Sequence, residues 1–176
     1  MKPDLLLKIQ RILAYIFIAL TLLSFILSLG FMTNYYTLFY EGTFEMFNFF
    51  KDVQVLNKAI FNTSLIYVIL AILLIPFDIN KKKPGIFGVS FVIITTVYTL
   101  LSSYKILSDI PYYKNIYASF DFGEIKNYTP SIVAFDLSTV LFIVIIIAAI
   151  LLFITSLSNY ISTIKTKRIR GGSNEA

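Results

Sequence analysis

The stretch IVAFDLSTVLFIVIIIAAILLFITSLSNY, residues 132–160, carries a single charged side chain, Asp136, close to its start. A helix needs about 20 apolar residues to cross the hydrocarbon core of a bilayer, and this run exceeds that length. Its apolarity is continuous rather than alternating, which argues for a helix over a barrel strand. Three more runs share this character: residues 12–31, 59–77 and 86–104, none with a charged side chain. The sequence therefore predicts an all-α integral membrane protein with four transmembrane helices in a single domain, residues 1–176.

Composition agrees. Hydrophobic residues make up 57% of the 176 and charged residues 14%, against about 45–50% and a quarter in soluble domains. A soluble fold of this size has too little interior to hide that much apolar surface. The run at 12–31 follows Lys2, Lys8 and Arg11, as a signal sequence would. It is too long for such a segment and no small-residue cleavage site follows, so it is expected to remain as a helix.

Lys and Arg sort by side. Ten of the 15 fall before the first run, in the link at 78–85 and in the tail at 161–176; the other five fall in the loops at 32–58 and 105–131. Those two loops also hold six of the ten acids, among them Glu41, Glu45, Asp52, Asp121 and Glu124, and Asp136 lies just past the second loop. The positive-inside rule then puts both termini in the cytoplasm and the two long loops outside. The basic charge reads as a topology signal, so no nucleic acid is expected. The richness in Ile, Lys, Asn, Phe and Tyr fits an AT-rich bacterial genome, which makes the cell membrane the expected location.

Between Thr43 and Leu56 the polar residues Glu45, Asn48 and Asp52 recur at helical spacing, with Phe44, Phe47, Phe50 and Val53 on another face. This pattern predicts an amphipathic helix lying on the outer leaflet. The polar tail from Lys165 onward is expected to be disordered.

The two halves of the chain echo each other. Tyr35-Tyr36-x-x-x-Tyr40 matches Tyr112-Tyr113-x-x-x-Tyr117, and Phe61-Asn62-x-Ser64 matches Phe135-Asp136-x-Ser138. These motifs suggest two tandem, parallel-repeat hairpins. Asp136, Ser138, Asn62 and Ser64 are candidate helix caps or binding groups at the outer interface. The tyrosines of the repeat, with Phe44, Phe47 and Phe50, are candidate partner or interfacial contacts. Thr21, Ser24 and Ser28 follow one stripe, and Thr95, Thr99 and Ser102 another, as at helix–helix interfaces.

The chain has no Cys, His or Trp. That removes thiolate chemistry, the commonest metal ligand and the usual general base near neutral pH. No glycine-rich phosphate loop, nucleophile elbow or paired acids at metal-ligand spacing is visible, so neither catalytic residues nor cofactor or metal is expected. The expectation is a non-catalytic accessory subunit of a larger membrane complex, such as a transporter. The alternatives are a small transporter or channel acting alone or as a homo-oligomer, and an enzyme acting on lipid or an envelope precursor.

Overall fold

The computed structural model describes residues 3–31, 43–76, 85–123 and 129–172. These form α1 (Pro3–Phe31), α2 (Phe44–Leu74), α3 (Ile86–Ser119) and α4 (Val133–Gly172). All four are long and apolar enough to span a membrane. The link residues 78–84, Tyr35, Tyr36, Tyr40, Glu124 and the last four residues lie outside the described set.

The helices form a closed ring in which each packs on its sequence neighbours and α4 returns against α1. Buried positions on α1 (Gln10, Ala14, Phe17, Thr21, Ser24 and Ser28) alternate in steps of four and three, the spacing of one helix face. Tyr67 of α2, Val92 of α3 and Phe142, Ile145 and Leu152 of α4 fill the interior.

Hydroxyls join the helices where the small-residue stripes lie. Ser24 and Ser64 share a hydrogen bond of 2.6 Å between α1 and α2. Thr96 donates to the Ala149 carbonyl of α4 at 3.3 Å. Near the chain termini, Asn159 of α4 donates to the Gln10 side chain at 2.8 Å, and Gln10 donates to Ser156 at 3.4 Å. These buried amides tie the last helix to the first.

Helix lengths depart from the predicted spans. α2 begins at Phe44, capped by Thr43, whose hydroxyl accepts from the Met46 amide at 3.3 Å. The amphipathic segment from Thr43 to Leu56 is helical as the pattern predicts. It is, however, the first part of α2 rather than a separate element, since neither Gly nor Pro interrupts residues 43–75. α3 likewise runs to Ser119, through Pro111, well past the expected end at Tyr104. α4 continues to Gly172, through tail residues whose polarity suggested disorder. Polarity reports a change of solvent, and the Lys, Thr, Ile and Arg residues there carry no helix breaker before Gly171.

The Ser24–Ser64 contact sets the register of α1 on α2, so Phe31 lies level with about Asn57. Tyr67 meets Ser102 and Ser103 on α3, which puts Tyr112 near the same level. Beyond it α2 rises about 20 Å farther and α3 about 10 Å. Among the described residues, the end away from the chain termini (the distal end) is therefore a two-helix headpiece standing on a four-helix ring.

Candidate functional site

The headpiece has its own aromatic core. Met46 and Phe49 of α2 are buried with Tyr117 of α3 and Phe122 beyond it, and Phe50, Val53, Ile116, Phe120 and Phe135 pack around them. The Phe49 ring lies 5.2 Å from Phe120, 6.1 Å from Tyr117 and 6.2 Å from Tyr113. Tyr117 sits among Phe49, Phe122 and Phe135, and its hydroxyl accepts from the Ser131 amide at 2.9 Å. One residue thus joins α2, α3, the connecting segment and α4. After α3, the Asp121 carboxylate accepts from the Gly123 amide at 2.9 Å and turns the chain.

On one side of this core an open cleft of about 570 Å³ runs between α2 and α3. Glu45, Asn48, Asp52 and Val55 line its α2 wall; Tyr112, Tyr113, Ile116, Ser119 and Phe120 line the other, with Phe49 between them. Burial first, then the charges of Asp52 and Asp109 and the neighbouring Tyr112, hold the Tyr113 phenol above its ordinary range. It stays a neutral donor at physiological pH. Tyr112 is 64% exposed and Phe44 77%. Apolar exposure on this scale, at and beyond the level where α1 ends, marks a surface suited to interaction. Among the described residues no group of three or more acidic side chains could hold a metal ion.

The candidate contact residues therefore divide. Tyr117 is an internal residue, only 4% exposed. Tyr113, Phe47 and Phe50 are half-buried, whereas Tyr112 and Phe44 are open.

The candidate capping residues also divide. α2 begins at Phe44, so Asn62 and Ser64 lie about five turns inside it and cannot cap it. Ser64 is buried against Ser24, and Asn62 is exposed. Asp136 lies in the first turn of α4, where its charge complements the helix dipole, and pairs with Lys114 of α3 at 2.5 Å. The Ser131 hydroxyl, not Asp136, accepts from the first helical amide, Val133, at 3.3 Å. Ser138, two residues past Asp136, is buried. The paired motifs of the two halves thus occupy different registers, with Asn62 deep in α2 and Asp136 at the start of α4.

Sequence reasoning missed three polar positions: Tyr67, Gln10 and Asn159. Tyr67 was hidden in an apolar run where one more ring carries no signal. Gln10 and Asn159 sat at the margins of predicted spans, where a polar residue reads as an ending. Comparison with protein-family models, with curated proteins and with solved structures finds no match to this chain.

Proposed function

We propose that this chain is a non-catalytic accessory subunit of a larger membrane complex, with the distal headpiece as its contact surface. The carrying observation is the headpiece itself: two helices rising about 20 and 10 Å past the end of α1, held rigid by an aromatic core and still presenting open rings and a cleft. Exposed aromatic side chains on a rigid support are the usual anchors of protein interfaces.

The chain lies in the plasma membrane of a bacterium with both termini cytoplasmic. The Lys and Arg bias supports this orientation, with Lys8, Arg11 and Lys165 at the end that carries the termini. The headpiece then faces outward, passing through the headgroup layer. Two tandem hairpins remain part of this reading through the shared direction of the two helix pairs, while the paired sequence motifs sit in different registers.

The filled interior favours this reading over a conduction path through a single copy. Tyr67 and Phe142 meet across the ring at its centre. Purification of the tagged protein from native membranes in mild detergent, with mass spectrometry of what accompanies it, tests the proposal. A larger membrane protein at fixed stoichiometry is expected, and its recovery should fall when Tyr112 and Phe44 are both changed to Ala. Recovery of this chain with no other protein overturns the proposal.

A further inference from the structure

The lipid-facing arc of α2 holds an amide that the fold leaves without a partner. Asn62 is exposed, and among the described residues no hydrogen bond reaches its side chain. The α1–α2 register puts it about 8 Å inside the level where α1 ends, within the apolar zone. Its side chain is too short to reach water from there, unlike a Lys or Arg, which extends to the interface. An amide exposed to hydrocarbon without a partner is costly.

Its surroundings form a pattern. At 100° per residue, Asn62 lies at the middle of the exposed arc of α2, and Val55, Ala59, Ile66, Ile69 and Leu73 fall within about 60° of it. All five are exposed. Their spacing, 55, 59, 62, 66, 69, 73, alternates four and three without a break, the period of a helix that packs along a parallel partner. Ala59 allows close approach next to the amide.

We infer that this face is a two-fold interface with the α2 of a second copy of the same chain, centred on an Asn62–Asn62 amide pair. Three features select a second copy. An amide carries both donor and acceptor, so two related by a two-fold axis satisfy each other. Two copies in one membrane place Asn62 at the same depth in each. Above it, Lys51 and Asp52 are adjacent and exposed. In a parallel pair Asp52 packs into the hole that contains Lys51 of the other copy, giving two reciprocal ion pairs. A polar residue in an otherwise apolar stripe also fixes register, since sliding the helices would leave both amides unpaired. This interface meets the headpiece cleft only at Asp52 and Val55, which line both; Ala59, Asn62, Ile66, Ile69 and Leu73 lie outside the cleft.

The absence of Cys makes the test direct. Single cysteines at Val55, Ala59 and Ile66, with Asn62 intact, are oxidised in native membranes with a membrane-permeant catalyst. Ile94→Cys, exposed on α3, serves as control. The expected result is a product of twice the 20.1 kDa chain mass at the three α2 positions and little at the control. Adding Asn62→Leu should weaken association about five- to thirtyfold, the loss of one intramembrane amide pair. No product, equal product at Ile94, linkage to a different protein, or unchanged association in Asn62→Leu each overturns the inference. The cysteine map leaves Asn62 in place, so misfolding of the Asn62 variant cannot mimic failure. Recovery of a larger partner bears on the accessory reading and not on this one.

Discussion

Tyr67 of α2 and Phe142 of α4 meet across the diagonal of the helix ring, their centroids 6.3 Å apart and their planes at 62°. The Tyr67 hydroxyl is at the same time within hydrogen-bond distance of Ser103 (2.6 Å), Ser102 (2.7 Å) and the Thr99 carbonyl (3.1 Å) on α3. One fully buried side chain therefore fills the centre with its ring and joins two helices with its oxygen.

Removing the oxygen and removing the ring should separate these roles. Tyr67→Phe keeps the packing and loses the α2–α3 hydrogen bonds, for an expected cost of about 1–2 kcal/mol. Tyr67→Ala also opens a cavity and should cost about 3–5 kcal/mol. Ser102→Ala should cost less than either, because Ser103 and the Thr99 carbonyl remain. Unfolding equilibria of reconstituted protein provide the measurement. A Tyr67→Phe protein as stable as the parent would show that the hydroxyl cluster carries no net energy.

The headpiece should loosen without the ring. Phe49 touches Phe50, Tyr113, Tyr117 and Phe120 and is one of the two buried α2 side chains of the cluster that holds α2 and α3 together beyond the level of Tyr112. Phe49→Ala should therefore speed amide hydrogen exchange across Phe44–Leu56 and Tyr112–Ser119, with little change around Tyr67. Uniform acceleration over all four helices would mean that headpiece and ring unfold as one unit.

Much of this architecture is legible in the sequence because charge-free runs of 20 residues have few alternatives. The stripes of Ser24 and Ser28, and of Thr95 and Thr99, mark buried faces because hydroxyls recurring every three or four residues have a use only where helices meet. The headpiece was less visible. Lys58 and Lys105 end the apolar runs, but a charge marks where lipid gives way to water and says nothing of where hydrogen bonding along the backbone stops. The partners of Ser64 and Asp136 depend on register between helices, which no local pattern encodes. Asn62 is the informative exception. It breaks the apolar rule inside a span, and the fold supplies no local reason for it.

The Lys114–Asp136 pair tests how much an ion pair contributes at the base of the headpiece. Its side chains are 32% and 52% exposed, so water screens them and each gains little from the other. A double-mutant cycle with Lys114→Gln and Asp136→Asn should give a coupling of about 0–1 kcal/mol that shrinks as salt is raised. Coupling above about 2 kcal/mol, or insensitivity to salt, would mean that the pair is far better shielded than its exposure indicates.

Thr95 and Thr96 are neighbours on α3 with opposite expected responses to the same substitution. Both are buried. Thr96 donates across the interface to the Ala149 carbonyl, whereas the Thr95 hydroxyl has no hydrogen-bond partner among the described residues. Valine nearly matches threonine in shape, so each exchange mainly deletes a hydroxyl. Thr96→Val should cost about 0.5–1.5 kcal/mol, the range for losing one interhelical hydrogen bond. Thr95→Val removes a buried polar atom that the fold does not satisfy, and should be neutral or raise stability by up to about 1 kcal/mol. Denaturation midpoints of the two variants, measured side by side in the same lipid–detergent mixture, decide the matter. If Thr95→Val is the more destabilising of the two, the Thr95 hydroxyl has a bonding partner in the folded protein and the α3–α4 interface is wetter than its packing suggests.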